Sequence, residues 1–231
     1  MKNLTLVSFL FLITMTFFSQ NQINGFGKLQ LGSDLSEVPE LYNSVKITNQ
    51  SDYFSKVYKK TTRDVYEIIA DTNDKYCSIG SLDSRVRVFE IGLFNLTDNI
   101  EVKGLELRFF NNKLYQIKIE DTKVDDLLTT KYGEPKKDYK EKENTFVNGY
   151  GIETIKKDET WIHTWETGNV NTSCFFTLMS YFSDQGKQRV ISYTILKDNT
   201  ISSQIEKQVE SVKIRIEKRE SEKKKDNLKG F

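Results

Sequence analysis

The sequence predicts an α+β fold: mainly antiparallel sheet, with short helices packed on one side and a long C-terminal amphipathic helix. A β-hairpin and a helix follow one another between Leu105 and Pro135. Several further segments alternate apolar and polar residues, which is the period of half-buried strands. From Thr200 onwards the apolar period becomes that of a helix. Strands and helices that come in groups along the chain are typical of α+β proteins.

The hairpin occupies residues 105–120, where apolar and polar residues alternate on both sides of an Asn111-Asn112 pair. Asparagine tolerates positive φ, so the pair suits a tight turn that matches the twist of two strands. Asp121-Thr122 then breaks the strand and offers a helix N-cap. The helix ends at Gly133, since a helix C-terminus favours a left-handed residue there. Its apolar residues recur at helical spacing: Val124, Leu127, Leu128 and Tyr132.

The remaining elements are predicted by simpler patterns on either side of the hairpin. Ser33 or Asp34 caps a short helix that Pro39 limits, and strands are expected at 65–69 and 85–96. The charged residues after Pro135 indicate a mobile loop. Three strands follow, at Glu159–Glu166, Thr172–Phe182 and Gln188–Leu196. The final helix carries one apolar stripe: Ile201, Ile205, Val209, Val212 and Ile216.

The apolar run near the N-terminus indicates an export signal. Lys2 gives a positive start, and about 15 apolar residues follow, fewer than the roughly 20 that a membrane-spanning helix needs. We therefore expect residues 1–19 to be a signal peptide; the alternative is an uncleaved anchor. Residues 20–216 are predicted to form a single domain, with two possible similar halves meeting near residues 120–140. Residues 217–231 are predicted to be a disordered basic tail.

Composition favours a folded chain and argues against nucleic acid as a ligand. The 231 residues include 15 Phe and 11 Tyr, which a disordered chain would lack. Loss of Lys2 with the signal peptide takes the net charge from +1 to about zero, whereas nucleic-acid binders are strongly basic. The two cysteines, Cys77 and Cys174, are expected to form a disulfide in an oxidising compartment; the alternative is two buried free thiols.

Two short motifs are similar to those of small exported bacterial α/β proteins. They are Leu31-Gly32-Ser33 followed by Glu37-Val38, and Tyr132-Gly133-Glu134-Pro135. In these positions the chain resembles the β-lactamase-inhibitor-protein-like and SmpA/OmlA-like group. The resemblance covers about a tenth of its length. The resemblance implies a non-enzymatic module that presents a sheet face to another protein. The SmpA-like group usually carries a lipid-anchored cysteine, whereas the first cysteine here is Cys77, so we expect no lipid anchor.

The residues best suited to a ligand are Trp161, His163 and Trp165, which alternate along one predicted strand and share one of its faces. Two indoles beside an imidazole can stack on a sugar or an aromatic ligand; the alternative is a partly buried sheet face with a hydrogen-bonded histidine. Because the chain has a single histidine, the common catalytic zinc sites are not expected. A Cys174–His163 thiolate pair is conceivable, but Cys174 lies in an apolar run that favours burial.

No motif for catalysis, phosphate binding or a cofactor occurs in the sequence, and no catalytic or metal-binding residue is assigned. We therefore expect an exported non-enzymatic binding module, periplasmic or extracellular, whose partner is another envelope or secreted protein. Membrane contact is expected only through the basic C-terminal tail. The alternative is an exported hydrolase that uses acidic residues, because acids are abundant and sequence spacing does not place them in space.

Overall fold

The computed structural model describes residues 22–48, 61–69, 83–147, 150–183 and 186–228. Within them lie two α-helices, α1 (Lys123–Tyr132) and α2 (Asn199–Leu228), and two short 3₁₀ helices, Leu35–Glu37 and Pro39–Asn43. The strands are β1 (Gly25–Phe26), β2 (Leu29–Gln30), β3 (Val45–Ile47), β4 (Val65–Ile68), β5 (Val86–Thr97), β6 (Ile100–Phe110), β7 (Lys113–Ile119), β8 (Lys136–Val147), β9 (Glu153–Trp165), β10 (Thr172–Phe182) and β11 (Gln188–Asp198).

Nine of these strands form one sheet, in the order β3-β4-β5-β6-β7-β11-β10-β9-β8. Only β3 and β4 are parallel among the described pairs of this sheet; every other neighbouring pair is antiparallel. The strands follow the chain inwards from both edges of the sheet, through β3–β7 from one edge and through β8–β11 from the other. The last strand of each set meets the other in the middle, where Ile117 lies opposite Leu196.

The predicted α+β class is wrong, because the described chain is dominated by a single large mixed sheet. Strand content was underestimated mainly at β8, a strand of 12 residues where we expected a mobile loop. The expectation of a long docked amphipathic helix also fails. The described packing of α2 is confined to its short first part, residues 199–211, through Ile201, Ile205 and Val209. The side chains of Val212 and Ile216 lie outside the described residues.

The basic segment predicted as a disordered tail is helical as far as the structure describes it, because α2 continues to Leu228. The predicted signal peptide, residues 1–19, lies outside the described residues. Among the residues that are described, neither α-helix combines the length and the apolar character that crossing a bilayer requires.

The hairpin and helix that the sequence predicts between residues 105 and 135 are present. Asn111 and Asn112 adopt φ values of 50° and 63°, as a primed turn requires. The apolar side chains of both strands are buried, and the ring of Phe109 meets that of Phe89 edge to face at 5.8 Å. Gly133 ends α1 with a φ of 88°, a conformation in which a side chain would be strained.

The two faces of the sheet are covered by different elements. We call the face under α1 the front face; it carries the main core, which includes Leu107, Ile117, Trp165 and Leu196 together with Val124 of α1. The opposite side is the back face, where α2 packs through Ile205 and Val209 on three residues of β5 and β7: Val86, Val88 and Tyr115. This division decides which side chains of β9–β11 remain accessible.

Candidate functional site

The three predicted ligand-binding residues lie on one face of β9, the front face, but they differ in accessibility. Trp165 is 4% exposed and belongs to the main core. Trp161 and His163 are half-buried. In register with them on β10 are Leu178, opposite Trp161, and Phe176, opposite His163. The alternation therefore placed the residues on the correct common face, but it did not reveal that α1 covers one end of the row.

Trp165 is fixed by the end of α1. Its indole nitrogen donates a hydrogen bond to the carbonyl oxygen of Gly133 at 3.1 Å, so the single donor of the ring is satisfied. The ring contacts the core on its other side and presents no free surface on which a ligand could stack. Its role is therefore in packing the loop after α1 against the sheet. The predicted ligand contact stays a prediction for Trp161 and His163.

His163 forms an ion pair or hydrogen bond with α1 rather than with a nucleophile. Its Nδ1 lies 2.8 Å from Oδ1 of Asp125, and both side chains are about one-fifth exposed. The imidazole also contacts the ring of Phe176, with 5.6 Å between centroids. A carboxylate in this position orients the imidazole, as the third member of a catalytic triad does. Here the contact joins α1 to β9.

Cys174 lies on β10 opposite Trp165, close to His163 along the same face. It is buried and forms no disulfide with a described residue, and burial raises the pKa of its thiol to about 12. A nucleophilic cysteine needs a lowered pKa, so this thiol stays protonated at neutral pH and is not part of a thiolate–imidazolium pair. Its predicted disulfide partner, Cys77, lies outside the described residues, and the bridge stays a prediction.

Trp161 belongs to an aromatic pair at the outer end of the front face. Its ring meets the ring of Tyr139 from β8 at 5.5 Å with a tilt of 47°. The Tyr139 hydroxyl donates to Glu159 at 2.9 Å, and this carboxylate, with Glu141 nearby, raises the tyrosine pKa to about 12. The phenol therefore remains protonated and serves as a hydrogen-bond donor between the strands.

A cleft of about 390 Å³ opens beside the end of α1. Its charged lining residues are Lys131, Glu134, Lys136 and Glu166, and its wall includes Trp165. Glu134 is 75% exposed and pairs with Lys137 at 3.1 Å, so it is well solvated. A general acid of a glycosidase lies in an apolar pocket that raises its pKa, and this environment does not resemble one. The cleft gives no support to the hydrolase alternative.

The feature that the sequence did not reveal is a row of apolar side chains on the back face of β9–β11. We call it the back strip, and its members are all half-buried or exposed: Ile162, Phe175, Met179, Ile191, Tyr193 and Ile195. The strand register places Phe175 opposite Ile195, and Met179 opposite Ile191. Between them the buried Thr177 lies opposite Tyr193 and Ile162, so the strip surrounds one polar side chain. None of the six belongs to a buried cluster of the described residues.

The back strip is unusual for a solvated sheet face. Antiparallel sheets with one open face usually place polar residues on it. Ile191 remains 42% exposed, and Lys118 lies over the ring of Tyr193 with 5.4 Å from Nζ to the centroid. Contiguous apolar surface of this kind marks interaction sites in soluble proteins.

The described residues contain no cluster of three or more His, Cys, Asp or Glu suited to a metal ion.

Comparison with family models, curated proteins and solved structures returned no match to this chain.

Proposed function

We propose that the chain is an exported, non-enzymatic binding module that docks another envelope or secreted protein on its back strip. One observation carries the proposal: six apolar side chains surround the buried Thr177 on one face of three antiparallel strands without joining a buried cluster. Burial of such a row against a partner is favourable by about 25 cal/mol for each Å² removed from water. The resemblance to exported modules that present a sheet face supports the same role.

The chemistry of the front face also favours binding over catalysis. Its histidine is engaged by Asp125, and its cysteine is a protonated, buried thiol. The back strip itself contains one hydroxyl group, that of Tyr193, and otherwise hydrocarbon and thioether side chains. Such a surface gives affinity through shape complementarity and through the apolar area buried at the centre of an interface.

Site-specific photo-cross-linking tests the docking surface. We expect benzoylphenylalanine at Tyr193 to form an adduct with an envelope or secreted protein in producing cells. The matched control is the same replacement at Tyr42, which is 64% exposed and lies outside the strip. An excess of the unlabelled chain should suppress the Tyr193 adduct, whereas an excess of the Ile191→Asp variant should not. Equal labelling from both positions, or suppression by both competitors, would contradict the proposal.

Export is tested separately by N-terminal sequencing of the chain recovered from the envelope or the medium. A mature N-terminus near residue 20 is expected from the short apolar run. Recovery of the chain only from the cytosol would refute export while leaving the back strip to be judged by the cross-links.

A further inference from the structure

The outer edge of the sheet at β8 is long, and none of the described strands covers it. β8 runs over 12 residues and pairs with β9 along its whole length, while no described strand pairs with its other side. The side chains from Lys136 to Glu143 are all exposed. The opposite edge strand, β3, has three residues. A long open edge presents unpaired backbone donors and acceptors, and these pair readily with another strand.

The side chains of β8 carry charges of both signs in an ordered arrangement. On the front face the strand places Lys137, Tyr139, Glu141 and Glu143; on the back face it places Lys136, Asp138, Lys140 and Lys142. Charged side chains on an edge strand, lysine above all, protect it against indiscriminate pairing. Charges of both signs also permit a register in which opposite charges lie across from each other. Here each face is basic at its start, and the front face becomes acidic towards its end.

We propose that β8 pairs antiparallel with β8 of a second copy of this chain, about a two-fold axis at Lys140. Residues that lie opposite each other in such a pair have position numbers that mirror across Lys140. Lys137 then lies opposite Glu143. By the same symmetry Asp138 lies opposite Lys142, and Tyr139 lies opposite Glu141. A two-fold axis generates each of these contacts twice, whereas the repulsive Lys140–Lys140 contact occurs once.

Neighbouring registers are less favourable, so the charges select this one. An axis at Tyr139 also gives four attractive contacts, Lys137 opposite Glu141 twice and Asp138 opposite Lys140 twice. It places Lys136 opposite Lys142 twice, however, so it has two like-charge contacts where the axis at Lys140 has one. An axis at Glu141 places Lys140 opposite Lys142 twice and Glu141 opposite its own copy. Like charges directly opposite in a sheet are destabilising, whereas opposite charges stabilise it. Pro135, which has no backbone donor and is buried, ends the ladder at the start of the strand.

The same side chains already make cross-strand contacts inside one copy. Lys157 of β9 lies 3.2 Å from Glu141 and 3.5 Å from Glu143, and the Tyr139 hydroxyl bonds Glu159. These contacts show that the glutamate and tyrosine side chains of β8 reach a neighbouring strand in this part of the sheet. The proposed pairing uses the edge and not the back strip, so it stands independently of the proposed function.

Disulfide trapping between single cysteines tests both the dimer and its register. In a Cys77→Ser background, which leaves the buried Cys174, Lys140→Cys should cross-link rapidly because the two positions lie directly opposite each other. Lys142→Cys alone should not, because its two copies are about 13 Å apart along the strand. A mixture of Asp138→Cys and Lys142→Cys should cross-link. Equal trapping of Lys142→Cys alone and Lys140→Cys would overturn the register.

Sedimentation of the unmodified chain tests the dimer itself. We expect a concentration-dependent dimer that higher salt weakens, since exposed charge pairs are screened. Asp138→Lys turns two attractive contacts into repulsive ones, which should weaken the dimer and raise its dissociation constant about tenfold or more. Asp126→Lys is the matched control, because it makes the same charge change on an exposed position of α1. A monomer at every concentration, or equal weakening by both variants, would overturn the proposal.

Discussion

The docking of α2 on the back face gives a sharp test of how the C-terminal helix is held. Ile205 is 2% exposed and packs on Val86, Val88 and Tyr115, whereas Ile214 on the same helix is 57% exposed. Replacing each isoleucine by alanine makes the same chemical change at a buried and at an exposed position. Any difference between the two variants therefore measures the burial of Ile205.

The expected magnitude follows from the size of the cluster. An Ile→Ala change in a core costs about 2–5 kcal/mol, and the lower end applies where neighbours can collapse into the space. The α2 cluster contains five buried residues and lies under a single helix, so we expect about 2–3 kcal/mol. Alanine recovers about 0.4 kcal/mol in helix propensity at either position. The net loss for Ile205→Ala is then about 2 kcal/mol.

Urea unfolding followed by circular dichroism measures these free energies directly. Thermal unfolding followed by the same signal gives the corresponding melting temperatures. Ile205→Ala should lower the melting temperature by about 4–8 °C for a chain of this size, and Ile214→Ala should leave it unchanged or slightly higher. If both variants lost the same stability, or neither lost any, α2 would not be held by the buried contacts that Ile205 makes.

Three further predictions concern the front face. In a Cys77→Ser background, where Cys174 is a thiol, burial raises the Cys174 pKa from 9.0 to about 12, so the folded chain keeps the thiol protonated while the unfolded chain ionises. Stability relative to Cys174→Ala in the same background should then fall as the pH rises above about 9, and a stability difference that is constant with pH would contradict this. Thr194 is fully buried with no hydrogen-bond partner for its hydroxyl among the described residues, so Thr194→Val should stabilise by about 1 kcal/mol in urea unfolding; destabilisation would show a hidden partner. Trp165→Phe removes the donor to Gly133 and part of a core ring, and should cost about 2 kcal/mol; Trp161→Phe is its control and should change little.

The parts of the fold that the sequence predicts best are those set by neighbouring residues. The hairpin turn at Asn111 and Asn112 depends on the left-handed conformation of two consecutive residues, and both adopt it. The short helix after Asp34 has a capping box in which Glu37 closes back onto the cap residue, although it forms a 3₁₀ helix. Each of these features is stabilised within a few residues, so the local pattern is sufficient.

The parts that the sequence missed depend on distant contacts. β8 has almost no apolar residue, so it lacks the alternation that predicts a strand; its pairing with β9 stabilises it instead. The back strip was missed for a different reason. β10 is apolar on both faces, and sequence alone does not indicate that α1 covers one face while α2 packs elsewhere on the other. Coverage is a property of the tertiary structure.

The central position of β11 has a consequence for folding kinetics. β11 is the last of the described strands in the sequence, yet it completes the middle of the sheet by pairing Leu196 with Ile117. Until β11 is in place, β7 and β10 both have an open edge, and each half of the sheet ends in a strand that lacks a partner on one side. Contacts between residues so far apart in sequence give a high contact order, which is associated with folding in milliseconds to seconds. A chain with this topology stays incomplete until its final strand is available, and a truncation before β11 should aggregate rather than fold.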